Sequence, residues 1–136
     1  MIEIIIVLEK QKIHSIKLLW HNDVQNGGDY FGKWILEQIG YKIEYSNSPD
    51  IVVCGSILGI NLNNSKIWGA GFHFNNEKSH LTKNNAIYAV RGRLSLKKLN
   101  IKNNITLGDP GLLLSRFFKP KTKKIVYILP QTNLIL

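Results

Sequence analysis

The sequence predicts an α/β domain: a mainly parallel sheet with helices on its faces. Short apolar, β-branched runs bounded by Gly, Pro or Asn recur along the chain, as buried parallel strands do. Between them lie stretches with apolar residues at helical spacing, and strands alternating with helices argue for parallel pairing. The length of 136 residues suits one ordinary domain, or one lobe of something larger.

In chain order, residues 2–8 are the first strand candidate, interrupted by Glu3 and stopped by Glu9-Lys10. Residues 16–20 are the next. A helix is expected over 30–39, because Tyr30/Trp34 and Phe31/Ile35/Ile39 fall at i, i+4 and make one apolar face. Asp29 stands where an N-cap is wanted and Gly40 where a C′ residue is wanted. Residues 41–45 form a further short strand. Strands over 51–54, 66–68 and 86–90 follow, each ending at a Gly or an Arg. A second helix is expected over 92–99, with Leu96/Leu99 at helical spacing and Lys97 and Lys98 near its C-terminal end, where they suit the macrodipole. Residues 105–107 are another strand. Asp109-Pro110 then gives a strong helix start, Asp as N-cap and Pro at the first helical position. That helix runs to Phe118 and is stopped by Pro120. Residues 119–124 are polar, charged and Pro-containing, as a linker is, and 125–129 form a strand beyond it. The expected division is a lobe over 1–118, a basic linker over 119–124, and the first strand of a missing or reduced second lobe over 125–136. A last strand docking back on the same sheet is the alternative.

With 44% apolar and 20% charged residues the chain is foldable and not disordered. No stretch approaches the roughly 20 apolar residues of a membrane span. The opening lacks the basic flank and small-residue cleavage site of a secretory signal, and the single Cys54 fits a reducing compartment. The expected location is therefore cytoplasmic, with peripheral attachment at an inner membrane as a variant of it.

Charge is concentrated. Residues 1–90 carry eight basic and eight acidic side chains, whereas residues 91–124 carry ten basic ones against Asp109 alone. The formal +9 thus sits in that quarter of the chain. A basic stripe attracts phosphate, or is simply a solvated lysine-rich face. Nucleic acid is not the expected partner: most of the cations are Lys, and no aromatic is interleaved at 119–124.

Several motif-like spacings fail on inspection. Gly27 and Gly32-Lys33 have the spacing of a nucleotide phosphate loop, but Trp34 stands where Ser or Thr must bind Mg²⁺. Gly55-Ser56 after a strand lacks the glycine two residues before the Ser that a nucleophile elbow needs. Gly69-Ala70-Gly71 lacks the third glycine of a dinucleotide fingerprint. His14, His21, His73 and His80 have no metal-ligand spacing, so neither metal nor cofactor is expected. Arg91-Gly92-Arg93, between a strand and a helix start, is the best anion site: guanidinium forks beside backbone N–H donors. With three Arg against fifteen Lys, Arg at a strand end is less easily put down to composition.

Taken in order, the punctuation points make a set. They are Trp20; Asn26-Gly27-Gly28-Asp29; Asp50-Ile51-Val52-Val53-Cys54-Gly55-Ser56; Ile67-Trp68-Gly69-Ala70-Gly71-Phe72; Ala89-Val90-Arg91-Gly92-Arg93-Leu94-Ser95; Leu107-Gly108-Asp109-Pro110-Gly111-Leu112; and Ile128-Leu129-Pro130. This ordered set resembles the polysaccharide pyruvyl transferase family. The resemblance implies a Rossmann-like lobe of a two-lobed, glycosyltransferase-B-like fold. It implies transfer of pyruvate from phosphoenolpyruvate, as a ketal, to two hydroxyls of a sugar in a bacterial surface glycan.

On that resemblance Arg91 and Arg93 are expected to bind the donor's phosphate or carboxylate. Asp29 is expected to orient or deprotonate an acceptor hydroxyl, though a capping role suits it equally. Gly28, Gly55, Ser56 and Gly71 are expected to form backbone walls of the cleft. Two departures stand out. The family pattern continues into a second lobe, whereas twelve residues follow Lys124 here, and the family tends to place His after the Pro where this chain has Gln131. Gln supplies neither a cation nor a titrating proton near neutral pH. The chain alone is therefore expected not to turn over substrate. The competing expectation is a non-catalytic lobe that binds glycan or phosphate, the remnant of a shortened gene. A homo-oligomer paired through the C-terminal strand is a further expectation, since an uncovered apolar edge seeks a partner.

Overall fold

The computed structural model describes residues 15–23, 26–101, 104–119 and 121. The strands expected at 2–8 and 125–129, the second lobe and most of the linker lie outside the described residues.

Within them the chain runs β1 (Ser15–Leu18), α1 (Gly27–Gln38), β2 (Lys42–Tyr45), β3 (Ile51–Val52), β4 (Lys66–Trp68), β5 (Ala86–Val90), α2 (Arg93–Leu99) and β6 (Thr106–Leu107). A 3₁₀ turn (Pro110–Leu113) then leads into the short α3 (Leu114–Phe117). The strands form one six-stranded sheet in the order β2-β1-β3-β4-β5-β6. Every neighbouring pair is parallel, so all the strands end along the same edge. The fold is α/β, as the alternation in the sequence predicts.

Parallel sheets need cover on both faces, and two apolar clusters provide it. On one face Ile16, Leu18, Ile51, Val53 and Trp68 meet Ile35 and Leu36 of α1, with Leu113 and Leu114 packed alongside. On the other, Val52, Ile67 and Val90 meet Ile57, Leu58 and Leu62 of the loop after β3, with Leu96 and Leu99 of α2. The alternation of Ile51, Val52 and Val53 between the two clusters is the period-two pleat of a strand buried on both sides.

The register between β4 and β5 is not uniform. Ile67 pairs with Ile87 but Trp68 pairs with Ala89, so β5 carries one extra residue, Tyr88. Tyr88 and Ala89 both pack with the Trp68 cluster, and Val90 returns to the opposite one. This is a bulge.

Helix boundaries depart from the sequence reading in instructive ways. α1 starts at Gly27, and its N-cap is Asn26, whose side chain accepts from Gly28 N at 3.0 Å. Asp29 is in the first helical turn and is not the cap. Two glycines mask the start, because they weaken helical pattern while leaving the Asn cap free to act. At the far end Gly40 has φ +98°, the left-handed turn a C′ glycine supplies. Asp109 is a cap as expected: its carboxylate accepts from Gly111 N at 2.8 Å, with Pro110 at the first position. The helix behind it is not one continuous α-helix. Leu112 N bonds back to Asp109 O at 3.0 Å, the tighter 3₁₀ pattern, before a single α turn. Strand β1 ends at Leu18 and β3 at Val52, short of the expected Trp20 and Cys54, although Leu19, Val53 and Cys54 stay buried beyond the ladder.

Among the described residues no helix is long and apolar enough to cross a membrane.

Candidate functional site

β1 lies between β2 and β3, so the strand order reverses at the β1/β3 boundary. In open parallel sheets the crevice at the carboxyl ends of such strands is where ligands bind. His21 follows β1 and Ser56 follows β3, and they meet there: a ring nitrogen of His21 is 3.4 Å from Ser56 O. Beside them is a cavity of about 300 Å³ lined by His21, Asp23, Asn26, Asp29, Ser56 and His73.

The turns after β3, β4 and β5 are tied to one another. Gly71 N donates to Gly55 O at 2.9 Å, Leu58 N to Gly71 O at 3.0 Å and Arg91 N to Ala70 O at 3.1 Å. Gly55 sits at φ +100°, where other residues are strained. A Cβ there would lie 3.1 Å from Asp29 Oδ1, so the carboxylate rests on the turn after β3.

Arg91 closes this arrangement. Its Nη1 donates to Ser56 Oγ at 2.7 Å and its Nη2 to Phe72 O at 2.6 Å. A second, larger cavity of about 650 Å³ opens on its far side, lined by Phe72, Phe74, Arg91, Arg93, Leu94 and Lys98 among others. His73 lines both cavities, Ser56 the first and Arg91 the second, so the Ser56–Arg91 bond joins the lining of one to that of the other and serves as a partition. The two chambers differ in charge. The smaller has two carboxylates and two imidazoles, whereas the larger has three cations and no carboxylate in its lining.

Of the residues singled out from sequence, Asp29 and Ser56 line the smaller cavity and Arg91 and Arg93 the larger. Gly55 and Gly71 lie beneath the Asp29 and Arg91 side chains. Gly28 is in the first turn of α1, bonded to its cap, and lines neither cavity. The sequence motifs do not single out His21, His73, Asp23 or Lys98 for this site, and Asn26 stands in a motif with no role of its own. Metal-ligand spacing is the wrong test for the two histidines: His21 and His73 each follow a strand closely, which is the signal that places them. Among the described residues no group of His, Cys, Asp and Glu could hold a metal ion.

Cys54 is buried two residues beyond β3, and its thiol donates to Asp109 Oδ1 at 3.4 Å. Burial pushes the thiol's pKa well above its ordinary value, and the Asp109 carboxylate pushes it further. A thiol kept protonated is not a nucleophile. Its work is to join β3 to the 3₁₀ turn.

Comparison of the chain with protein-family models, with curated proteins and with solved structures finds no match.

Proposed function

We propose that this chain is the Rossmann-like lobe of a glycosyltransferase-B-like pyruvyl transferase. It would move pyruvate from phosphoenolpyruvate onto two hydroxyls of a bacterial surface-glycan sugar. The observation that carries this reading is the Ser56–Arg91 partition, which sets a cationic chamber against one bearing carboxylates and imidazoles. A two-substrate reaction between an anion and a polyol needs that division of labour.

In the reading, Arg91 and Arg93 hold the donor's phosphate and carboxylate by charge-assisted hydrogen bonds. The acceptor sugar lies in the smaller chamber, where Asp29 orients or deprotonates a hydroxyl. Protonation at the donor's C3 turns the methylene into a methyl and makes C2 electrophilic. One hydroxyl oxygen bonds to C2, the C2–O bond to phosphate breaks, and the second hydroxyl oxygen bonds to C2. Of the two hydroxyl protons, one balances the proton gained at C3 and the other leaves with inorganic phosphate. Phosphoenolpyruvate is a substrate here, and no cofactor is required. Such chemistry belongs in the cytoplasm, where phosphoenolpyruvate is made, with the glycan precursor at the inner membrane.

Gln131 after Pro130 favours a second reading, a lobe that binds phosphate or glycan without turnover. One experiment separates the two. Purified chain is titrated by calorimetry with phosphoenolpyruvate, with phosphate and with galactosyl and mannosyl acceptors, and phosphate release is followed with those acceptors. Acceptor-dependent release supports transfer, binding without release supports the second reading, and no binding overturns both.

A further inference from the structure

We propose that the larger cavity, between the turn after β4 and α2, is a binding site for a nucleoside diphosphate. This goes beyond pyruvyl transfer, because phosphoenolpyruvate has no ring to lay on an aromatic platform; the nucleotide would use the same Arg91 and Arg93, so the two ligands would compete for one site. Three features of the cavity point the same way: its size, its charge and its exposed aromatic.

Its volume of about 650 Å³ lies within the range of roughly 300–1,000 Å³ that holds a drug-sized ligand. Inorganic phosphate would leave most of it empty. Arg91, Arg93 and Lys98 line it, and none of them makes an ion pair among the described residues, where the salt bridge is Lys33–Glu37. Arg91 has five N–H donors and directs two to Ser56 and Phe72. Arg93 is exposed at the start of α2, and its side chain has no hydrogen bond among the described residues. Two uncompensated guanidinium groups in one cavity suit a diphosphate, which takes paired N–H forks on successive phosphates.

The apolar part is equally specific. Phe74 is 60% exposed, and one face of its ring is stacked on His73 with centroids 4.0 Å apart and planes 19° apart. The ring lines the cavity and is mostly exposed, so a flat ring has apolar surface to lie on. The platform is also held in place. Lys98 Nζ donates to Phe74 O at 2.8 Å and Asn75 O at 3.1 Å, and lies 4.3 Å above the Phe72 ring. Glu77 Oε2 accepts from the backbone N–H groups of His73 and Phe74 at 2.7 and 3.1 Å. These bonds hold the backbone of the turn that carries the ring, so less ordering of that turn is needed on binding. A base on Phe74 with its phosphates toward Arg91 and Arg93 uses each feature once.

The test is calorimetric titration of the full chain with ADP, UDP, adenosine, pyrophosphate and phosphoenolpyruvate at one salt concentration. The expected result is that ADP or UDP binds at least about tenfold more tightly than pyrophosphate or adenosine, the increment a stacked base supplies. Phe74→Ala should remove that increment and leave pyrophosphate binding unchanged. Arg93→Ala should weaken pyrophosphate and nucleotide alike. Phe74→Tyr, which keeps the ring, should retain nucleotide binding and so guards against a mere folding defect in the Ala variant. Nucleotides that bind no better than pyrophosphate, or not at all, overturn the proposal. Phosphoenolpyruvate binding without nucleotide binding overturns it while leaving the transferase reading intact. Nucleotide binding without phosphoenolpyruvate binding supports it and counts against that reading.

Discussion

The Arg91 guanidinium lies against Gly71 so closely that a Cβ on Gly71 would stand 2.7 Å from Arg91 Cζ and Nε. The glycine is the floor on which the guanidinium reaches both Ser56 and Phe72 O. Gly71→Ala should lift the group away and break both bonds. Phosphoenolpyruvate affinity should fall about tenfold or more, because hydrogen bonds to a charged group are worth about 1.5–3 kcal/mol each. Calorimetry reads the loss, and a urea midpoint confirms that the fold survives.

Arg91 itself should behave differently from cations elsewhere in the basic quarter. Arg91→Ala should abolish measurable phosphoenolpyruvate binding, whereas exposed Lys121→Ala should leave it within about twofold, as surface charges contribute little singly. Arg91→Lys should not rescue, since an ammonium cannot span Ser56 and Phe72 O as a planar fork does. Equal losses for Arg91→Ala and Lys121→Ala would reduce the site to general electrostatics.

The cap of α1 gives a stability comparison. Asn26→Ala should cost about 1 kcal/mol by removing the acceptor for Gly28 N. Asp29→Asn should cost less, about 0.3–1 kcal/mol, since Asp29 supports the helix only through its charge in the first turn. Denaturant unfolding of both variants measures this, and a larger loss at Asp29 would return the cap to that position.

Cys54 links stability to alkaline pH. Its folded pKa is raised, by burial first and by Asp109 second, whereas an unfolded cysteine ionises near pH 8.5. Above about pH 8.5 the unfolded chain therefore holds fewer protons than the native one at this site. The native state loses stability there by up to about 1.4 kcal/mol per pH unit. Cys54→Ser keeps a donor toward Asp109 but does not ionise. The stability advantage of the natural chain over this variant should shrink between pH 8 and 9.5 in urea unfolding. A gap that stays constant across that interval would contradict the raised pKa.

Much of the fold is legible in the sequence because its signals are local. Lys66–Trp68 and Ala86–Val90 are bounded in sequence where they are bounded in space, and Asp109-Pro110 starts a helical turn as such a pair should. The capping role of Asn26 is not legible, because the glycines after it dilute the helical pattern. The site is legible where a residue sits at a strand end, as Arg91 and Ser56 do. It is not legible where the role depends on pairing across the sheet. Nothing near His21 in sequence says that the residue 35 positions on will lie beside it. Lys98 likewise reads as a macrodipole partner, and its bonds to Phe74 O and Asn75 O exist only once α2 packs against the turn after β4.

The extra residue in β5 sets the phase of everything downstream of it. Tyr88 and Ala89 share a face, so Val90 and the residues after it are turned by half a pleat relative to a uniform strand. A chain one residue shorter at that point could keep its ladder and nearly all of its composition. It would still send Val90 into the wrong cluster and carry Arg91 away from Ser56. The aim of the arginine is thus set three residues upstream by the length of the strand, and not by a residue type.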